Sequence, residues 1–183
     1  QFLLLAGVAA AEAIAGQSGI RPGLKWPNDV LLRGKKIGGI LAEMSSDAER
    51  IEHVILGLGL NLNTPAEAIP PEIRDQATSV LAATGSSVSR PGLVRDILTR
   101  LERFYHLLLR EGPAPVREQW LRFNITLGRR VRAETDSAVI HGLAEDIDAS
   151  GALVLRDDSG ERHHLLAGDI SLREDGSQET GER

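Results

Sequence analysis

The sequence contains no cysteine, one methionine and only 3% aromatic residues. Without thiols it can form no disulfide framework, no thiolate zinc site and no cysteine nucleophile. It also lacks an excess of basic residues, because 21 Lys and Arg stand against 26 Asp and Glu, which gives a formal net charge of −5. A generally basic nucleic-acid surface is therefore unexpected, and we predict no nucleic-acid binding through this chain.

Long apolar runs are also scarce. The longest, Phe2 to Ile14, is interrupted by Glu12 and is too short to span a bilayer. It has neither the basic flank nor the cleavage site of a signal peptide. The sequence thus predicts a cytoplasmic protein without a membrane segment. Because the chain opens with Gln1 inside an apparent buried helix, we expect that a preceding segment is missing.

The 183 residues make roughly one domain and a fraction, at about 150 residues each. The first part alternates helical and extended patterns. A buried helix is predicted over Leu3 to Ala15, and the long helix over Pro91 to Arg110 has apolar residues at three- and four-residue steps. The other predicted elements are an extended region at Leu24 to Leu32 broken by Pro27, a turn at Gly34 to Lys36, strands at Ile37 to Met44 and His53 to Asn63 joined by a polar loop of Ser45, Ser46 and Asp47, a loop at Thr64 to Asp75, and helices at Thr78 to Ala83 and Ala114 to Phe123.

After Asn124 the pattern changes to short strands at intervals of about ten residues, separated by Asp-, Ser- and Gly-containing turns. This spacing favours a small all-β barrel or sandwich. Residues 175–183 are polar and without periodicity, which predicts a disordered tail. The strands are predicted at Arg130 to Glu134, Ala138 to Asp146, Ala152 to Arg156, Arg162 to Leu166, and Ile170 to Leu172.

The segment HVILGLGLNLN, from His53 to Asn63, has two glycines at alternate positions of a predicted strand. Alternation places Leu58 and Leu60 on one face, and Gly57 and Gly59 on the other. Glycine weakens a strand, so the pair needs a reason, such as a ligand that approaches the backbone closely or a helix that packs over it. Gly38 and Gly39 interrupt the preceding strand in the same way, and two close-packed strands would explain them equally well.

All three lysines, Lys25, Lys35 and Lys36, fall within twelve residues, although the chain has eighteen arginines. Lys25 precedes Pro27, which denies the strand a ladder hydrogen bond. An ammonium group there suits a carbonyl oxygen or a phosphate, whereas the alternative is a surface lysine on a strand.

The other chemical groups give weaker signals. The histidines lack the spacing of metal ligands, and His163 and His164 should point to opposite faces of one strand. We therefore expect no tightly bound metal. Leu62 stands where a dinucleotide fingerprint needs its third glycine, and there is no Gly-Lys-Ser/Thr of a P-loop.

Four segments together resemble the biotin protein ligases. They are KWPNDV at Lys25 to Val30, KIGGILAE at Lys36 to Glu43, GLGLNLN at Gly57 to Asn63, and GDISLR at Gly168 to Arg173. Their order and spacing also fit that family, and the resemblance covers nearly the whole chain.

The resemblance implies an α+β fold: a mixed, largely antiparallel sheet with helices, related to class II aminoacyl-tRNA synthetases and lipoate ligases. A small barrel of the Src-homology-3 kind is expected to follow. The implied domains are residues 1–124, the catalytic part, and residues 125–174, the barrel.

The implied activity has two steps. Biotin and magnesium-ATP form biotinyl-5′-adenylate and pyrophosphate, and the biotinyl group then passes to a lysine of a biotin carboxyl carrier domain of a carboxylase. A homodimer is expected by analogy. The family's Gly/Arg-rich loop, of the form GRGRxGR, has no match in this chain, and neither has the winged-helix repressor domain that many bacterial members carry. The enzyme is therefore expected to be incomplete in this chain.

The resemblance also assigns residues. Lys25 would be the catalytic cation beside the biotin carboxylate and the α-phosphate. The biotin slot would be lined by Gly39, Gly57, Leu58, Gly59 and Leu60, and the nucleotide would contact Asn61, Asn63 and Arg173. Two alternatives stay open: a lipoate-type ligase built on a related core, and an inactive fragment that acts only in binding or dimerisation.

Overall fold

The computed structural model describes residues 1–46, 51–135, 138–166 and 168–172. It divides into two compact units, Gln1–Ile125 and Thr126–Arg183. Each unit contains one antiparallel sheet, and the four described α-helices all belong to the first unit. The predicted α+β class is confirmed. The tail at 175–183 and Arg173 lie outside the described residues.

Helix α1 spans Phe2–Ser18 and ends at Gly19, which adopts the left-handed conformation. The prediction that this helix is buried is confirmed, because ten of its residues, from Leu4 to Ile14, are buried. Its lone charged residue, Glu12, is met by Arg100 at 3.3 Å and Arg103 at 2.7 Å. A carboxylate in an apolar helix is tolerated here because cations neutralise it.

The first sheet is a meander of four antiparallel strands, β1 (Gly23–Lys25), β2 (Asp29–Leu32), β3 (Lys35–Ser46) and β4 (Ile51–Leu60), in that order. The β2–β3 turn lies at Arg33 and Gly34, both at positive φ. Two predictions were wrong at their boundaries. Lys35 already belongs to β3, and Ser45 and Ser46 continue that strand, where Ser45 pairs with His53.

Three more helices complete the first unit: α2 (Val80–Thr84), α3 (Arg90–Glu111) and α4 (Ala114–Phe123). Ser89 is the N-cap of α3, since its Oγ accepts a hydrogen bond from Gly92 N at 3.2 Å. The segment after β4, predicted as a loop, contains two short 3₁₀ turns, Ala66–Ala68 and Pro71–Ile73.

Helix α3 has more apolar positions than one face can hold. Leu93, Ile97 and Phe104 are buried against the rest of the unit. A second row, with Leu98 and Tyr105, remains exposed among the described residues. This row borders a groove of about 830 Å³. The apolar groove residues are Phe2, Leu5, Val54, Leu56, Leu98, Leu101, Tyr105, Leu108 and Leu109.

The second unit is a five-stranded antiparallel sheet in the order β8-β7-β6-β5-β9. The prediction of five short strands is confirmed, although most boundaries shift by a residue. In the described pairing β8 and β9 are the outer strands. The strands are β5 (Arg130–Glu134), β6 (Val139–Ile147), β7 (Leu153–Asp157), β8 (Arg162–Leu165) and β9 (Asp169–Leu172).

Matching Asp-x-Ser-Gly turns lie at the two ends of β7. Asp148 accepts hydrogen bonds from Ser150 and Ala152, and from His164 Nδ1 at 2.9 Å. Asp157 is bonded in the same way, with His163 Nε2 at 2.8 Å. The two adjacent histidines of β8 therefore pair with carboxylates at opposite ends of β7. Among the described residues, no helix is both long enough and apolar enough to cross a membrane.

We predict that Gly38→Ala destabilises the first unit, whereas Gly59→Ala does not. A Cβ at Gly38 would lie 2.1 Å from the carbonyl oxygen of Gly59, but a Cβ at Gly59 would meet nothing within 4 Å. Forcing β3 and β4 apart should cost about 1–3 kcal/mol or more. Urea unfolding followed by tryptophan fluorescence tests this prediction, because both tryptophans, Trp26 and Trp120, are buried in this unit. Equal losses in the two variants would contradict it.

A second prediction concerns acid stability. Hydrogen bonds, first that from the Ser150 hydroxyl, hold the pKa of Asp148 well below its ordinary value of 3.8. The folded state therefore binds this proton more weakly than the unfolded state. Its stabilising contribution is complete above about pH 5 and is lost progressively as the pH falls toward the folded-state pKa. We expect Asp148→Asn to lower the melting temperature of the second unit at pH 7 and to differ less from the parent at pH 3.

The melting should be followed by the amide NMR signals of β7. Asp158→Asn is the control, because Asp158 is an exposed carboxylate whose described partner is Arg130. A constant difference between Asp148→Asn and the parent across this pH range would contradict the assignment.

Candidate active site

The paired strands β3 and β4 present one open face. Gly39 pairs with Gly59, and Leu41 pairs with Gly57. Gly57 and Gly59 are exposed, and no described helix packs over them. Further along the same face the side chains of Leu41 and Ile55 are 60% and 57% exposed. We call these five residues the open face. It combines bare backbone with aliphatic side chains.

The four glycines of these strands do not have one common purpose. Gly38 is needed for the close approach of β4, as its contact with the Gly59 carbonyl shows. A Cβ at Gly39 would instead point toward Lys36 Cε at 3.7 Å and Asp29 Oδ1 at 3.8 Å. Because Gly39 has no side chain, the charged side chains of Lys36 and Asp29 remain accessible next to the open face.

Two lysines, Lys25 and Lys36, share the carboxylate of Asp29, and we call these two residues the lysine pair. Lys25 Nζ lies 3.5 Å from Asp29 Oδ2, and Lys36 Nζ contacts Asp29 Oδ1. The side chains of Lys25 and Asp29 are 18% and 15% exposed, whereas that of Lys36 is 51% exposed. Two cations with one anion leave a net positive charge, which favours an incoming carboxylate or phosphate.

Local sequence holds this group in place. Trp26 is 1% exposed and anchors the β1–β2 connection in the core, where the Trp26–Pro27 peptide bond is cis. Asn28 then fixes the connection to β3 in both directions. Its Nδ2 donates to Ile40 O at 2.8 Å, and its carbonyl oxygen accepts from Ile40 N at 3.0 Å. These bonds place Asp29 opposite Gly39.

The two predicted nucleotide-binding asparagines differ in environment. The side chain of Asn61 is exposed beyond Gly59. Its side-chain amide group makes no hydrogen bond to the residues that the structure describes. Asn63 is bonded on both amide atoms to the backbone of Val88. The structure therefore leaves Asn61 available and gives Asn63 a partner of its own.

The structure does not bring together all of the predicted biotin-slot residues. The half-buried side chains of Leu58 and Leu60 alternate with the exposed glycines and lie on the opposite face of β4. Only their backbone reaches the open face. Arg173 lies outside the described residues.

Two site residues, Asp29 and Lys36, were missed by the sequence reasoning. Both stood within segments that it had singled out, and Asp29 follows Lys25 by four residues. The clustering of lysines was the available signal for Lys36. Alternation could also have separated it from Lys35, whose Nζ instead contacts Arg74 O at 2.5 Å, away from Asp29.

In the second unit, ligand atoms of Asp157, Glu161 and His163 lie within 4.8 Å of one another, a grouping that the sequence spacing did not reveal. Asp157 already accepts hydrogen bonds from the turn and contacts His163. These contacts account for the grouping as part of a structural turn.

Comparison with known proteins gives two family matches on this chain. Residues 2–61 match the Biotin/lipoate A/B protein ligase family, and residues 126–173 match the Biotin protein ligase C terminal domain. The first match contains the lysine pair and the open face, and the second covers the five-stranded sheet.

Individual relatives agree. The chain is 36% identical to the bifunctional ligase/repressor BirA of Bacillus spizizenii over 94% of this chain and 53% of the relative. It is 36% identical to the biotin–[acetyl-CoA-carboxylase] ligase of Paracoccus denitrificans, over 88% of this chain and 69% of that protein. The biotin protein ligase of Aquifex aeolicus in complex with biotin and ATP superposes with a TM-score of 0.79 at 27% identity, covering 94% of this chain and 71% of that one.

The fold, the two family matches and these relatives agree on one class, the ligases that attach biotin or lipoate to proteins. Within that class the chain belongs to the biotin protein ligase family. It spans about half the length of the Bacillus relative.

Proposed function

We propose that this chain carries the biotin-activating site of a biotin protein ligase, and that the open face binds biotin. The observation that carries the proposal is that a strip of exposed glycines ends at two lysines sharing one carboxylate. Biotin has an apolar ring and chain with a carboxylate at one end. The strip and its aliphatic neighbours fit the apolar part, and the lysines fit the carboxylate. The Aquifex relative binds biotin and ATP on the same fold.

In the proposed first step a biotin carboxylate oxygen attacks the α-phosphorus of ATP. An acyl–phosphate bond forms, the bond to the β-phosphate oxygen breaks, and pyrophosphate leaves with the displaced electron pair. Negative charge accumulates on the phosphoryl oxygens, and oriented cations stabilise it. We assign this role to Lys25 and Lys36. Magnesium enters with ATP as part of the substrate, and Asn61 contacts the nucleotide.

In the second step a neutral lysine amine of the carrier domain attacks the acyl carbon. An amide bond forms, AMP leaves, and the amine gives up its proton.

The wider setting is also part of the proposal. We propose a cytoplasmic enzyme that acts on a biotin carboxyl carrier domain of a carboxylase and contacts no nucleic acid through this chain. A homodimer is supported by β4, which is one of the two outer strands of the described first sheet, because outer strands offer unpaired backbone groups.

Pyrophosphate exchange, measured with biotin or lipoate as the carboxylic acid substrate, tests the proposed function. In a complete enzyme that carries this chain, biotin should promote exchange of labelled pyrophosphate into ATP, and lipoate should not. Gly59→Val should abolish the response because its side chain fills the open face, while a β-branched residue keeps the strand. Exchange with lipoate alone would assign the site to the related acid. If calorimetry shows that biotinyl-adenylate does not bind, the remaining alternative is an inactive fragment that acts only in binding or dimerisation.

The lysine pair generates a further prediction. In the complete enzyme, Lys25→Ala and Lys36→Ala should each lower the single-turnover rate of adenylation by about 10²–10³-fold, the usual loss for one oriented donor. Lys25→Arg should recover only part of it, since a planar guanidinium does not replace a compact ammonium.

Lys35→Ala is the matched control because it removes an adjacent lysine whose Nζ lies near Arg74 and Asp75 rather than Asp29. Its rate should match the parent. If Lys35→Ala and Lys36→Ala lose the same activity, general positive charge rather than the lysine pair is responsible.

A further inference from the structure

We infer that Asn63 does not contact the nucleotide but positions Asn61, by fixing the turn that leaves β4. The inference rests on the proposed function only where it gives Asn61 the nucleotide contact. The anchoring of the turn is a property of the fold and can be measured without any ligand.

The side chain of Asn63 forms a closed pair with one backbone residue. Its Nδ2 donates to Val88 O at 2.9 Å, and its Oδ1 accepts from Val88 N at 2.9 Å. Val88 is 7% exposed and directly precedes Ser89, the N-cap of α3. The pair thus ties the end of β4 to the start of the longest helix across 25 residues of sequence.

The rest of the turn is held from the α2 side. Ser79 is fully buried; its Oγ donates to Thr64 O at 2.5 Å and accepts from Ala82 N at 2.9 Å. Val80 N donates to Asn61 O at 3.0 Å, and Leu81 N donates to Leu62 O at 2.8 Å. Each residue from 61 to 64 is therefore bonded to α2, to the N-cap of α2 or to Val88.

These bonds fix the backbone of Asn61 but leave its side chain free. Asn61 N donates to Ile37 O at 2.7 Å, which continues the β3–β4 ladder one step beyond the strand. The exposed amide then stands at the end of the open face. Asn63 closes the loop of residues 64–87, and loss of this closure gives the loop conformational freedom that the turn would share.

Amide hydrogen exchange tests the anchoring. In Asn63→Ala the amides of Asn61, Val80 and Leu81 should exchange roughly tenfold faster, as expected when the two hydrogen bonds that close the loop are lost. The amide of Ile97, inside α3, should not change. Ser87→Ala is the matched control, since Ser87 is an exposed residue next to Val88. Unchanged exchange at Asn61 and Val80 in Asn63→Ala would overturn the inference.

Asn63→Asp keeps the size of the side chain and guards against a variant that fails to fold. The ionised carboxylate can accept from Val88 N but repels Val88 O, whereas the protonated carboxyl can both accept and donate. Exchange in Asn63→Asp, compared with the parent at each pH, should be fast at pH 7 and should return toward the parent in acid. A difference that does not change with pH would contradict the pairing.

Calorimetry with ATP, carried out on the complete enzyme, separates positioning from direct contact. If Asn63 acts through Asn61, each single alanine variant should weaken ATP binding roughly tenfold, and the double variant should be little weaker than Asn61→Ala. If the losses of ATP affinity in the two single variants multiply in the double variant, Asn63 contacts the nucleotide itself. A parent protein that does not bind ATP would contradict the proposed function, while hydrogen exchange would still decide the role of Asn63.

Discussion

The candidate site depends on one carboxylate, Asp29, which holds two ammonium groups beside the open face. Without it Lys25 and Lys36 would repel each other, and their flexible side chains would separate in water. With it the two are held close, and a net positive charge remains for a substrate anion. The carboxylate is 15% exposed, so the pair is screened less than a surface ion pair.

The position of Asp29 comes from backbone geometry. Asn28 binds Ile40 through both its side chain and its main chain, and this fixes the residue that follows it opposite Gly39. A larger residue at Gly39 would point at Asp29 and Lys36, so the glycine keeps the charges accessible. Gly38 serves a different purpose, because it allows β4 to approach and brings Gly59 alongside. One pair of adjacent glycines thus supplies both packing and access.

Most of the fold could be predicted from the sequence because its signals are local. The Ala- and Leu-rich run located α1, apolar periodicity located α3, and turn residues located the five strands of the second unit. The boundaries of β3 could not be read, because Ser45 and Ser46 look like a loop and only their pairing with β4 makes them strand. The open face was predicted from Gly57 and Gly59 by alternation. Whether a helix covers the open face could not be predicted, because such a helix would be distant in sequence from β3 and β4.

The site was predicted less completely, for the same reason. Lys25 was identified, but the sharing of Asp29 with Lys36 depends on how β2 pairs with β3, where a bulge shifts the register between Val30 and Leu31. Simple alternation cannot cross a bulge. The partner of Asn63 was also hidden, since Val88 lies 25 residues away. The segment GLGLNLN alone does not show that the side chain of Asn63 is hydrogen-bonded whereas that of Asn61 is not.

Lys35 and Lys36 show how one strand can serve two surfaces. Because adjacent side chains point in opposite directions, Lys36 reaches Asp29 while Lys35 reaches the carbonyl of Arg74. The backbone of Lys36 in turn accepts from Thr78 N and donates to Gln76 O. The segment that leads into α2 is therefore attached to the same residue whose ammonium group lies in the candidate site. Since α2 also holds the turn that carries Asn61, the lysine pair and the free amide are positioned by one continuous set of backbone contacts. A change in the 64–77 segment should consequently move both ends of the candidate site together rather than either one alone.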